Sequence, residues 1–314
     1  LGPNPSTAKA AIGWTSWYNY YDKINQQLLL ENLDAFETAK IPLDIFQIDD
    51  GYQYEIGDWL TCNTKFPNGM AWMADKIHQK KFKAGLWLAP FIASKKSKLF
   101  QKNPDWFVKD KSGKPLKVAI NVIWKAPYYA LDIYNTEVQE HLKKVIQTIL
   151  YDWNYDMIKV DFLFAACLQA LPNKTRGMIM SDAMHLLRQW AGDKLILACG
   201  VPLASAFHQV DYCRVGNDAH TAWEFGILKA LGNAERPSTW STLGNSIHRY
   251  GLNEAVFLND PDVFMLRDEN SHFNQDEKYT LLLLNNTLGA VLFNSDDIRL
   301  YNDEQRILFR SIFP

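Results

Sequence analysis

Lys159 and Asp161 stand two residues apart inside the apolar run Met157–Phe164. On a β-strand that spacing points both side chains to one face and turns Val160 and Phe162 the other way, toward surrounding helices. An ammonium beside a carboxylate lowers its pKa and keeps it ionised. An ionised, oriented carboxylate is what a glycosidase nucleophile requires. The same spacing fits a buried Lys–Asp ion pair that only fixes strand register, and spacing alone leaves both readings open.

Other acids invite similar questions. Asp218 follows Arg214 by four residues in a Gly-Asn turn. Locally it reads as the N-cap of a helix beginning at Ala219, and a strand-end carboxylate can also face a ligand. Asp49 and Asp50 either form a solvated turn before Gly51 or hold vicinal hydroxyls by bidentate hydrogen bonds. Asp49, Asp50, Asp260 and Asp262 could together hold a hard cation. The seven histidines form no H-E-x-x-H pattern, which argues against a zinc hydrolase; no metal and no cofactor is expected. His78, His141 and His185 fall in helical stretches, whereas His208 and His220 flank the expected site with no role assigned. Cys199 reads as an apolar wall rather than a nucleophile, since no histidine partner can be placed beside it.

These residues need a frame that gathers them. Eight apolar runs alternate with helical stretches: Ile12–Trp17, Leu43–Asp49, Ala84–Pro90, Met157–Phe164, Leu195–Gly200, Tyr212–Gly216, Ala255–Asp260 and Ala290–Asn294. Helices are predicted over Asn25–Ala39, Asn135–Tyr151, Lys174–Trp190 and Asp276–Asn286, with a short one around Leu203–Gln209. Eight strands alternating with helices predict an α/β chain folded as a (β/α)8 TIM barrel, with function at the C-terminal strand ends. A doubly wound open sheet is the alternative, but the first strand–helix junction lacks G-x-G-x-x-G. The domain expectation is a single catalytic barrel over 1–314, with a lead-in linker at 1–11. Residues 95–129, after the third strand, read as a long loop or subdomain over the barrel mouth.

Composition narrows the function classes. Of 314 residues, 47% are hydrophobic and 22% charged, which excludes an intrinsically disordered chain. A formal charge of −2 gives no basic footprint for nucleic acid. No apolar run reaches the roughly 18 residues of a membrane span. The opening Leu1-Gly-Pro-Asn lacks the charged start and apolar stretch of a signal peptide, so the expected location is cytoplasmic. Four scattered cysteines make no disulfide scaffold. The chain holds 11 Trp, 14 Tyr and 17 Phe, an excess that suits stacking on the flat apolar faces of sugars.

Taken in order, the strand ends resemble a known family. Gly13-Trp-Thr-Ser-Trp-Tyr, Ile48-Asp-Asp-Gly-Tyr, Gly85-Leu-Trp-Leu-Ala-Pro, Lys159-Val-Asp-Phe-Leu-Phe, Cys199-Gly and Arg214-Val-Gly-Asn-Asp are similar to the catalytic barrel of bacterial α-galactosidases. These are the melibiases of glycoside hydrolase family 36, which share a clan with family 27. Each motif alone is weak, but six in register are specific. The resemblance implies a (β/α)8 barrel that hydrolyses α-galactosides with retention. It assigns Asp161 as nucleophile and Asp218 as acid/base. It places Asp49 and Asp50 on the galactose hydroxyls. Lys159, Arg214, Trp87 and Cys199 would line the sugar subsite, with Trp17 and Tyr18 near the mouth. The implied partner is a small galactoside of the melibiose or raffinose type, and a homo-oligomer is compatible with the family. The flanking β domains of full-length members are not expected within these 314 residues. The competing readings are another retaining α-glycosidase of the clan (an α-N-acetylgalactosaminidase or a galactosyl transglycosylase), a non-catalytic carbohydrate-binding barrel, and a metal-dependent barrel hydrolase.

Overall fold

The computed structural model describes residues 8–312 except 122, 170, 225, 227–229 and 231–236. Its strands in chain order are β1 Ala11–Thr15, β2 Ile45–Ile48, β3 Lys83–Leu88, β4 Ile92–Ser94, β5 Lys117–Asn121, β6 Ala126–Ala130, β7 Met157–Val160, β8 Leu195–Ala198, β9 Tyr212–Arg214, β10 Leu258–Asp260, β11 Val263–Phe264 and β12 Val291–Asn294. Nine of them form one parallel sheet in the order β10-β9-β8-β7-β3-β2-β1-β12-β11. The sheet closes on itself: β10 pairs with β9, and β11, two residues further on, pairs with β12. The fold is therefore a (β/α)8 barrel, as the alternation of runs and helices predicts. All eight predicted runs contain a strand.

The seventh strand departs from its prediction as one run, Ala255–Asp260. It breaks into β10 and β11 at Pro261, which has no N–H for the ladder, and Asp262, whose φ is +77°. The Asp262 N–H turns inward to Asp260 Oδ1 at 2.8 Å instead.

Strands with helices on one side and barrel interior on the other are buried on both faces and read as continuous apolar runs. Every residue of β2, β7 and β12 is buried. Alternation sorts the two faces. Trp14 points outward, stacked on Phe46 at 4.4 Å and edge-on to Phe36 of the helix Gln26–Thr38. Thr15 and Gln47 point inward, and both donate to Asp49. The helices Gln26–Thr38, Thr136–Gln147, Arg176–Ala191, Gln275–Leu288 and Leu203–Ala206 match the predicted ones to within a few residues. Their starts are chemical: Asn25, Asn135 and Thr175 each accept a hydrogen bond from a first-turn N–H. Asn274 and Glu277 close a capping box on the helix Gln275–Leu288.

The stretch 95–129 carries β5 and most of β6. Strands β4, β6 and β5 make a separate antiparallel sheet, with β6 in the centre. Of the predicted lead-in linker, residues 1–7 lie outside the described residues, and Ala11 already belongs to β1. Among the described residues no helix is long and apolar enough to cross a membrane.

Candidate active site

The C-terminal ends of the barrel strands surround a cavity of about 220 Å3. Its wall includes eight of the ten site residues expected from sequence: Trp17, Tyr18, Asp49, Asp50, Trp87, Lys159, Asp161 and Asp218. Arg214 and Cys199 are outside that wall and form a layer behind it. Both are buried, and the Cys199 N–H is spent on the Val160 carbonyl at 2.8 Å. Burial, with Asp161 nearby, pushes the Cys199 thiol well up, which agrees with an apolar wall rather than a nucleophile.

Lys159 and Asp161 share the inward face, as their spacing predicts, but their pairing does not follow the prediction. The Lys159 ammonium donates to Asp49 Oδ2 at 2.8 Å, across to the end of β2. Asp161 Oδ1 accepts the Phe162 N–H at 2.6 Å, and its Oδ2 accepts a longer bond of 3.3 Å from Trp87 Nε1. Burial dominates its titration. The Asp161 pKa is raised because desolvation and the Asp218 charge outweigh the lowering by Lys159. The expectation that Lys159 holds Asp161 low is thus corrected. Desolvation acts on the whole carboxylate, whereas the ammonium is shared with a closer partner.

Phe162 is a second correction. The strand ends at Val160, and Phe162 adopts a left-handed conformation with φ of +53°. Strand alternation no longer applies there, so its ring lines the cavity instead of facing the helices. Gly200 packs behind this turn at φ +61°. A Cβ at that position would sit 3.3 Å from Asp161 Oδ1 and from the Phe162 nitrogen.

Asp49 is enclosed by donors. Its Oδ2 takes Lys159, Gln47 Nε2 at 2.8 Å and Thr15 Oγ1 at 3.4 Å, while Oδ1 caps the Asp50 N–H at 2.9 Å. Asp50 has two neutral donors, Gln53 Nε2 at 2.6 Å on Oδ1 and Trp124 Nε1 at 2.7 Å on Oδ2. Burial is the largest cause that pushes its pKa up to about 6, and the charges of Asp49 and Asp22 add to it.

On the opposite side Arg214 serves three carboxylates: Asp218 at 3.0 Å, Asp260 at 2.8 Å and Asp262 at 2.7 Å. Asp260 and Asp262 are fully buried, whereas the Asp218 side chain is 49% exposed and reaches the cavity. Of the four aspartates considered for a cation, Asp49 pairs with Lys159, Asp260 and Asp262 pair with Arg214, and Asp50 takes neutral donors only. Tyr18 donates its hydroxyl to Asp262. Burial, then Arg214 in opposition, leaves Asp262 raised to about 7. The helix-cap reading of Asp218 is corrected as well. Residues 219–224 form no helix, and the Asp218 carbonyl instead accepts the Ser238 N–H at 2.8 Å.

Sequence reasoning missed several wall residues. Asn121 ends β5, and Ile123 and Trp124 come from the turn between β5 and β6. The aromatic content of that stretch is a signal, but no periodicity places one ring over the mouth. Tyr21 and Phe162 are missed because both sit at positive φ, outside any regular pattern. His220 lines the cavity, whereas His208 is absent from its wall.

A closed parallel barrel whose strand ends present paired carboxylates to one small cavity defines the class of this molecule. The Melibiase family model matches residues 7–175, and the chain belongs to that family. The chain superposes on the α-galactosidase TtGalA from Thermus thermophilus, solved in complex with stachyose, with a TM-score of 0.91 and 34% identity. That match covers 99% of this chain and 66% of the Thermus chain. Alpha-galactosidase Mel36A of Lactobacillus acidophilus is 29% identical over 153 residues, 46% of this chain and 20% of that protein. The A type blood alpha-D-galactosamine galactosaminidase of Flavonifractor plautii is 28% identical over 162 residues, 49% of this chain and 14% of that protein. The chain thus aligns with about a fifth or less of these two curated relatives.

Proposed function

We propose that this chain is the catalytic barrel of a retaining α-galactosidase, acting on terminal α-galactosides of the melibiose or raffinose type. The observation that carries the reading is the meeting of Asp161 and Asp218 in one cavity with the Asp49–Asp50 pair. Asp161 is the nucleophile: its Oδ2, which among the described residues accepts just the long Trp87 bond, attacks the anomeric carbon and forms a galactosyl ester. The glycosidic C–O bond breaks as Asp218 gives its proton to the leaving oxygen. Water then attacks the ester, Asp218 takes up a proton, and galactose leaves with its α configuration retained. Arg214 divides its charge among three carboxylates, so Asp218 does not hold the guanidinium alone. Asp49, fixed by Lys159, and Asp50 grip the sugar hydroxyls, and the rings of Trp87, Trp17 and Phe162 cover its apolar faces.

A second reading, action on α-N-acetylgalactosaminides, is supported by the Flavonifractor relative's name. A fluorinated galactosyl trap tests the first reading. Peptide mapping should find the sugar on Asp161, and a label on another residue would overturn the assignment. Turnover of the N-acetylgalactosaminide in preference to the galactoside would decide for the second.

A further inference from the structure

We propose that Trp124 is a positioning residue for Asp50, delivered across the barrel mouth by the turn between β5 and β6. This deepens the reading of the cavity as a galactose site and rests on it. Asp50 has two side-chain donors, one per oxygen: Gln53 on Oδ1 and Trp124 on Oδ2. Two donors from opposite sides fix the plane of a carboxylate; one leaves it free to rotate.

Trp124 is itself well held. Its ring packs against Phe162 at 5.3 Å and Tyr128 at 5.4 Å, and those two rings meet at 5.5 Å. Asn121 Oδ1 accepts the N–H groups of both Ile123 and Trp124, and Lys96 Nζ donates to the Trp124 carbonyl at 3.1 Å. The indole therefore links the end of β2 to the turn that carries Asp161. It also separates two spaces. A neighbouring polar cleft, lined by Asp22, Gln53, Asn63 and Lys65 among others, shares Asp50, Ile123 and Trp124 with the main cavity. Without the indole donor, the Asp50 carboxylate can swing toward that cleft, where the Lys65 ammonium attracts it.

The test is a double-mutant cycle on turnover of an α-galactoside. Trp124→Phe keeps the ring and removes the donor. A hydrogen bond to a charged acceptor corresponds to about a ten- to hundredfold loss in kcat/KM. In an Asp50→Ala background the same change should cost less than about twofold, because alanine leaves the indole N–H no acceptor at that position. The acid limb of the wild-type pH profile should also move upward in Trp124→Phe, since the lost donor favours the ionised form of Asp50. Asp49, Asp22, Tyr52 and Lys65, the other titratable groups around Asp50, stay in place. If phenylalanine unsettles the turn, Trp124→Leu is run through the same cycle. Losses that multiply independently in either cycle, or an acid limb that Trp124→Phe shifts equally when Asp50 is already alanine, overturn the proposal. A wild-type chain that turns over no α-galactoside overturns the functional reading itself, and so the two failures are told apart.

Discussion

Replacing Asp50 with asparagine should move the stability gap from wild type in the variant's favour as pH rises from acid to neutral. The folded protein holds the Asp50 proton more tightly than the unfolded chain does, with the pKa moved from the ordinary 3.8 to about 6. For a raised carboxylate, the stability contributed is complete below the unfolded pKa and is lost as pH rises through the folded one. At about 1.36 kcal/mol per pH unit the full loss is about 3 kcal/mol, of which about 2 kcal/mol falls between about pH 4 and about pH 7. Asparagine escapes this loss. It also sacrifices one of the bonds from Gln53 and Trp124, because an amide accepts at one atom only. That penalty does not depend on pH and cancels when the two conditions are compared. Asp262, raised to about 7, titrates in both proteins and cancels as well. Thermal melts of both proteins at both pH values should show the gap moving by about 3 °C in favour of the variant for a chain of this length. A gap independent of pH, or one that moves against the variant at neutral pH, would refute the reasoning.

Three further outcomes follow from the same geometry. Asp218→Ala should spare the first step on substrates with good leaving groups and stop turnover of melibiose; equal losses on both substrates would remove it as the acid. As the proposed nucleophile Asp161 must be ionised, and burial raises its pKa, so kcat/KM should fall with decreasing pH through a value above the ordinary carboxylate range. An acid limb at or below that range would contradict it. Chelator treatment should leave turnover unchanged, and a loss restored by a divalent ion would show that the carboxylates serve a metal.

The barrel was legible because each parallel strand is buried on both faces, and burial writes itself into sequence as an unbroken apolar run. Strand ends such as Asp49, Asp161 and Asp218 could then be read off by position. What escaped was whatever regular alternation does not govern. Phe162 enters the cavity because it is itself left-handed, two residues past the end of β7. Trp124 reaches Asp50 from 74 positions away, through an antiparallel hairpin that local pattern does not aim. The Lys159–Asp49 pair spans 110 positions, and spacing along one strand suggested a different partner.

Charge in the mouth is distributed in a way that fits the proposed chemistry. Two buried cations serve the carboxylates that build the frame: Lys159 holds Asp49, and Arg214 holds Asp260, Asp262 and the inner edge of Asp218. Among the described residues, neither Asp50 nor Asp161 makes an ion pair. Both face the cavity with neutral donors only, and burial raises both pKa values. A buried carboxylate that lacks a cation is under-solvated and gains most from new donors. Sugar hydroxyls arriving at Asp50 supply such donors. At Asp161 the under-solvated oxygen gives its charge to the anomeric carbon on attack. The destabilisation that burial imposes on these two aspartates is therefore relieved by the ligand that the site is proposed to bind.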